Sequence, residues 1–212
     1  MIACYYTETT RPWSEQELTD RLVLLPPKLR QEALRKREWV DRQLSVLGKL
    51  LLIKLLKELG LQKKLSLTDL HYNVFLRPYF NASFDFNIAH SGNIVMCCGS
   101  LNSKVGIDIE QIKKIDLDDY IDHFTENEWN HINRSSDRQE KFYHYWTRKE
   151  ATLKAIGTGF HTPLASVDVS AGSLVYDEYE YYFQTLNISE SYKCHIAATS
   201  GPVHVKAVMV NL

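Results

Sequence analysis

Two carboxylates on one strand and a third on a helix are the residues of this chain best placed to do chemistry. Gly106-Ile107-Asp108-Ile109-Glu110 alternates apolar and polar positions and reads as a strand. Residues two apart in a strand face the same way, so Asp108 and Glu110 lie side by side. About forty residues on, Trp146-Thr147-Arg148-Lys149-Glu150-Ala151-Thr152-Leu153-Lys154 supplies Glu150 and, one helical turn later, Lys154. Neighbouring carboxylates repel unless positive charge sits between them. Three of them with cationic side chains nearby suit a hard divalent ion that binds a phosphorylated substrate. Taken singly, the same residues have plainer readings. Glu150 and Lys154 make an exposed i,i+4 helix salt bridge, Asp108 and Glu110 a solvated strand face, and Trp146 core packing.

The elements that must hold these groups are legible from periodicity and caps. Residues 2–7 read as a strand. Pro26-Pro27 opens one long helical region over residues 28–59, closed by Gly60. Residues 73–76 and 84–89 read as extended, and residues 94–99 form a strand after the turn at Ser91-Gly92-Asn93. Short helices are predicted over 117–124 and 126–134, and a second long helix over 137–156, capped by Gly157. Residues 166–211, rich in Val, Tyr and Ile, read as several antiparallel strands. Each half therefore carries one long helix and a set of strands. The fold class expected is α+β, with two similar lobes, each a long helix on a small antiparallel sheet, related by a pseudo-twofold axis. The boundary falls at residues 101–104, giving an N-terminal lobe over 1–103 and a C-terminal lobe over 104–212.

Composition narrows the function classes. The 212 residues carry 25 Lys and Arg against 26 Asp and Glu, a net charge of -1. No field draws nucleic acid or an anionic membrane, and neither is expected as a partner. The opening Met1-Ile2-Ala3-Cys4-Tyr5-Tyr6 has no signal-peptide pattern, and the apolar run over 44–59 is broken by Lys49, Lys54 and Lys57. A membrane-spanning helix needs about 20 apolar residues, so this run is expected to be a core helix. Cys4, Cys97, Cys98 and Cys194 show no metal-binding or disulfide spacing and fit buried thiols in a reducing cytoplasm.

The two acidic motifs, in this order and spacing, resemble the signature of the phosphopantetheinyl transferase superfamily, G-[IV]-D-[IVL]-E followed by W-[ST]-x-K-E-[AS]-x-x-K. A lone D-x-E is weak evidence, but the longer second motif is far more specific. The length is similar to that of the longer, two-lobed (surfactin-synthetase-activating) members, which act as monomers with the site between the lobes. The resemblance implies transfer of the 4′-phosphopantetheine arm of coenzyme A to a serine of an apo acyl or peptidyl carrier protein, releasing 3′,5′-ADP. It implies magnesium held by Asp108, Glu110 and Glu150, with Glu150 as general base, Lys154 on the phosphate and Lys149 as a second phosphate contact.

On the coenzyme side, Phe86-Asn87-Ile88-Ala89-His90-Ser91-Gly92 resembles the family's F-N-[IVL]-S-H-[ST] segment, with His90 at the 3′-phosphate position and Ala89 in place of a serine. Arg77-Pro78-Tyr79 resembles G-K-P, with arginine for lysine and Leu76 for glycine. Lys28, Arg30, Arg35, Lys36 and Arg37 form a basic run where the family binds the 3′-phosphate, and Arg30 or Arg35 is expected to reach the coenzyme. Phe124-Thr125-Glu126-Asn127-Glu128-Trp129 resembles F-[ST]-x-x-E, which borders the carrier-docking surface. His123, His131, Arg134 and Arg138 are expected to give it positive potential. Two other classes stay open on the residues alone: another magnesium-dependent phosphotransferase, and a non-catalytic module that binds coenzyme A or a carrier. No Walker-type glycine loop favours a nucleoside-triphosphate enzyme.

Overall fold

The computed structural model describes residues 1–212, the side chain of Phe160 excepted. In chain order the elements are β1 (Ile2–Glu8), α1 (Glu15–Leu22), α2 (Pro27–Leu34), α3 (Trp39–Glu58), β2 (His71–Tyr72), β3 (Pro78–Tyr79), β4 (Asp85–Ser91), β5 (Ile94–Ser100), β6 (Val105–Gln111), α4 (Glu126–Arg134), α5 (Arg138–Ile156), β7 (Ser173–Tyr176), β8 (Tyr179–Thr185), β9 (Tyr192–Ala198) and β10 (Ala207–Met209).

Two sheets carry the architecture, in the orders β10-β1-β5-β4 and β6-β9-β8-β7. In each lobe the first strand pairs antiparallel with the last, and the last pairs antiparallel with the one before it. Each lobe also lays its long helix, α3 or α5, against its own sheet. The duplication inferred from element order is therefore present in the strand topology. Val46, Leu51, Leu52 and Leu55 of α3 are fully buried in the first core. A second core is shared by the two lobes, where Ile107, Ile109 and Ile196 meet Cys4, Ala89 and Met96, and the second lobe has another around Phe142, Leu153 and Val167.

Local signals behave as expected at the helix ends. Gly60, at φ +70°, closes α3 with the Leu61 amide on the Leu56 carbonyl and its own amide on Lys57, a Schellman motif. Gly157, at φ +90°, ends α5, and Asp137 caps its start by accepting from the Glu140 amide.

Three expectations are corrected. The helix predicted over 28–59 is two helices. Residues 35–38 are four consecutive charged side chains with no apolar position to seat a turn on the core. The chain bends there, and Arg42 Nε donates to the Lys36 carbonyl at 2.8 Å. Residues 73–76 form a turn rather than an extended segment, with Asn73 Oδ1 accepting from the amides of Phe75 and Arg77 and Leu76 at φ +62°. Finally, β10 lies outside the antiparallel set of the second lobe. It pairs parallel with β1, Cys4 opposite Ala207 and Tyr6 opposite Met209, so the last strand crosses back to complete the first sheet.

Where the lobes meet, β4 and β6 run alongside each other in the same direction. Side chains of β4 take the place of a backbone ladder. Asp85 Oδ2 accepts from the Val105 amide at 2.8 Å, Asn87 Oδ1 from Ile107 at 3.1 Å and Ser91 Oγ from Gln111 at 3.0 Å.

Candidate active site

Gly106 sets how closely helix and strand approach. A Cβ there would fall 2.0 Å from the Ala151 carbonyl oxygen and 2.5 Å from the Ala155 nitrogen, both backbone atoms of α5. Only glycine lets α5 rest so low on β6. The residues just before those two contact points, Glu150 and Lys154, are thereby brought over Asp108.

Lys154 does not form the i,i+4 bridge with Glu150. Its ammonium crosses to the strand and donates to Asp108 Oδ1 at 2.6 Å. Asp108 and Glu150 are both buried, and each keeps one buried oxygen, Asp108 Oδ2 and Glu150 Oε1, without a hydrogen-bond partner. Burial raises the Asp108 pKa to about 7, opposed by Lys154 and reinforced by Glu110 and Glu150. Burial likewise pushes Glu150 above the ordinary carboxylate value. Burial works against the Lys154 ammonium, but Asp108, Glu150 and Glu110 outweigh it and hold its pKa above the usual lysine value. Glu110, half-buried two residues along the strand, accepts from Ser91 Oγ at 2.7 Å.

Two unpartnered buried carboxylate oxygens are a demand for positive charge, since such atoms otherwise meet a donor. Among the described residues, no three acidic, histidine or cysteine side chains converge as a ready-made metal cage. The donor chemistry nonetheless fits a hard divalent cation, because Asp108, Glu110 and Glu150 offer only oxygen.

A cavity of about 410 Å³ opens between α3 and β4. Its polar lining is Lys36, Asp41, Ser45, Lys49, Tyr72 and His90, over an apolar wall that includes Phe86 and Ile88. His90 stands exposed at the rim. Burial lowers its pKa, and the Lys154 charge lowers it further. Lys49 is likewise lowered by burial. Position 89 faces the inter-lobe seam rather than this cavity. It lies between the Asn87 and Ser91 contacts, and Ala89 offers no acceptor there.

The structure corrects three of the expected contacts. Lys149 is fully buried, 2.7 Å from Glu128 Oε2, and donates to the carbonyls of Leu164 and Val167, so it holds the second lobe together and reaches no phosphate. Its partner Glu128 also closes the N-terminus of α4, where Thr125 and Glu128 cap each other. Arg77 Nη2 is held by both Asp85 carboxylate oxygens, at 2.8 and 2.9 Å, and by the Val105 carbonyl, and it lines a separate recess. Arg35 is exposed and outside the cavity lining, where Lys36 stands instead. Lys49, not among the residues expected at the site, also lines the cavity. Its signal was the polar stripe Asp41, Ser45, Lys49 at i,i+4 spacing along an otherwise apolar helix. The stretch around α4 is also less positive than expected. Arg138 meets Asp118 and Asn133, His131 meets the Tyr145 hydroxyl, and Asp116, Asp119 and Asp122 lie close by in sequence.

Residues 104–197 match the model of the 4′-phosphopantetheinyl transferase superfamily. The chain is 36% identical over 129 residues to 4′-phosphopantetheinyl transferase gsp of Aneurinibacillus migulanus, covering 59% of this chain and 53% of that one. It is 30% identical over 166 residues to 4′-phosphopantetheinyl transferase Sfp of Bacillus subtilis, covering 75% and 72%. With 4′-phosphopantetheinyl transferase psf-1 of Bacillus pumilus the identity is 34% over 143 residues, covering 65% and 60%. The matched span is thus about half of the first relative's length and nearly three quarters of the second's.

Proposed function

We propose that this chain, which belongs to the 4′-phosphopantetheinyl transferase superfamily, moves the 4′-phosphopantetheine group of coenzyme A onto a serine of an apo carrier protein and releases 3′,5′-ADP. The observation that carries the reading is the pair of buried, unpartnered oxygens on Asp108 and Glu150 beside the Lys154 ammonium. Asp108, Glu110 and Glu150 would hold magnesium. Bound there, it supplies Lewis-acid stabilisation of charge on the pyrophosphate. Glu150, whose raised pKa makes it a better base, takes the serine proton as the hydroxyl oxygen attacks the phosphorus. Lys154 offsets the charge that passes to the departing 3′,5′-ADP. The carrier gains the phosphopantetheine, and the proton leaves through Glu150. The protein acts as a monomer. Its four buried free cysteines agree with a cytoplasmic setting, and among the described residues no helix is long and apolar enough to cross a membrane.

The cavity between α3 and β4 would receive the nucleotide end of coenzyme A, with Lys36, Lys49 and His90 meeting the 3′-phosphate. Charge-assisted hydrogen bonds contribute about 1.5–3 kcal/mol, so Lys49→Met should weaken coenzyme A binding about tenfold or more. Binding of dephospho-coenzyme A, which lacks that phosphate, should change little. Calorimetry on both ligands checks this, and equal losses for the two would remove the 3′-phosphate from this pocket.

A pH dependence follows from Asp108, whose folded pKa of about 7 lies well above the ordinary aspartate value because of its burial. The fold favours the protonated carboxyl, so metal-free protein should lose stability as pH climbs through that window. Asp108 would have to give up this proton to hold a cation. At low magnesium the transfer rate should rise with pH around a midpoint near 7, and the midpoint should fall as magnesium is raised. A midpoint indifferent to magnesium would refute metal binding at Asp108.

The reaction itself is tested by incubating the protein with coenzyme A, magnesium and an apo carrier protein and measuring the carrier's intact mass. A gain of one phosphopantetheine that EDTA abolishes is expected. No gain with carriers from fatty-acid, polyketide and peptide-synthetase systems would reject the reading.

A further inference from the structure

Ser91 is the last residue of β4, and its hydroxyl has two partners, both in the second lobe. It accepts from the Gln111 amide at 3.0 Å and lies 2.7 Å from Glu110 Oε2. A serine hydroxyl has a single proton. The Gln111 amide can only donate, so it takes a lone pair. An ionised carboxylate can only accept, so the one proton points at Glu110. The hydroxyl is therefore not free to rotate, and one of the two Glu110 oxygens is permanently engaged by a first-lobe donor.

The serine is itself fixed. The Tyr192 hydroxyl donates to Asn93 Oδ1 at 2.5 Å and accepts from the Asn93 amide at 3.3 Å, gripping the turn after β4 from the second lobe. Gly92 occupies φ +55°, and a Cβ there would fall 2.4 Å from that same hydroxyl. The other two seam residues of β4 make no such contact: Asp85 and Asn87 meet backbone amides and, for Asp85, Arg77. Neighbouring strand residues point to opposite sides, so His90 turns to the cavity while Ser91 turns to Glu110.

We propose that Ser91 is a positioning residue for the metal site: it holds Glu110 with Oε2 turned into the seam, leaving Oε1 as the single oxygen presented beside Asp108 and Glu150. The proposal rests on the function proposed above. It also ties the two substrate-handling regions together, because the end of β4 carries the cavity-lining His90 and the carboxylate-orienting Ser91 as adjacent residues. A carboxylate held by one oxygen loses less freedom when the other binds a cation, and this is the preorganisation Ser91 supplies.

The test is calorimetric titration of the full chain with magnesium alone, followed by the magnesium concentration that gives half-maximal transfer. Ser91→Ala is expected to weaken magnesium binding about tenfold, the lower end of the effect of losing a residue that orients a metal ligand. The half-maximal magnesium should rise by a similar factor, while metal-free binding of coenzyme A stays within about twofold. Ser91→Thr keeps the hydroxyl and should restore wild-type affinity. Ser91→Cys, similar in size but a poor donor, should behave like the alanine variant and serves if that variant folds badly. Magnesium affinity within about twofold of wild type in both Ser91→Ala and Ser91→Cys would overturn the proposal, leaving Ser91 only its seam contact to Gln111. A wild-type protein that binds no magnesium would instead overturn the functional reading and the proposal with it. The two failures are told apart because the second is already visible without any substitution.

Discussion

Glu150→Gln is expected to lower phosphopantetheine transfer at least about a thousandfold while the protein stays folded and binds coenzyme A within about threefold of wild type. The substitution keeps the shape of the side chain and removes its charge and basicity. On the proposed mechanism both are needed, because Glu150 would at once hold the metal and take the serine proton. Stability should not suffer. Glu150 Oε1 is buried without a partner, and burial already disfavours its charge, so a neutral amide is at least as well accommodated. The measurement is single-turnover transfer followed by carrier mass, with a melting curve alongside. Retention of more than about a tenth of the rate, below the usual effect of losing a general base, would return Glu150 to the status of an ordinary helix carboxylate.

Gly106→Ala should produce the largest loss of stability. The added Cβ meets Ala151 O at 2.0 Å and Ala155 N at 2.5 Å, and these are backbone atoms of a helix with no rotamer to change. Helix α5 must then lift from β6, disturbing the packing of Ala151 and Ala155 against Tyr181 and Ala197 of the sheet. Overpacking of this kind costs typically 1–3 kcal/mol and sometimes more, and backbone obstruction puts this case at about 3 kcal/mol. For a chain of this size the melting temperature should fall by roughly 6–12 °C. A fall of less than about 2 °C would mean that α5 is not seated on Gly106. Whatever protein remains folded should also bind magnesium more weakly, because Glu150 moves with the helix.

The parts of this fold that were legible in the sequence are those decided within a few residues. The alternation of residues 105–110, the glycine ends of α3 and α5, and the span of α4 all follow from side-chain periodicity and capping, and the structure has them. The grouping of Asp108, Glu110, Glu150 and Lys154 was legible for the same reason, since it depends on one strand and one helix face. Other features depended on distant partners. Lys149 and Glu150 are neighbours in one motif, yet a turn of about 100° between successive helix residues sends one inward to Glu128 and the other to the site. Nothing near Lys149 announces that Glu128 waits for it. Arg77 is similar: its charge matched the expected phosphate contact, but Asp85, on the next long strand, takes it. The break at residues 35–38 was hidden because charged residues are good helix formers individually. It emerges only when four in succession leave no apolar position for the core.

The crossing of β10 bears on how the protein comes into being. Translation delivers residues 1–100 first, enough to build β1, α3, β4 and β5, but the outer edge of β1 has no neighbour until Ala207–Met209 leave the ribosome. Throughout that interval the nascent first lobe exposes a row of unpaired amides and carbonyls, the kind of edge that recruits strands from other chains. β10, made after every other element of the first sheet, closes the edge that β1 opened. Severing the gene at the lobe boundary would thus yield an N-terminal fragment that folds around α3 yet self-associates along β1, and adding the C-terminal half in trans should suppress that association.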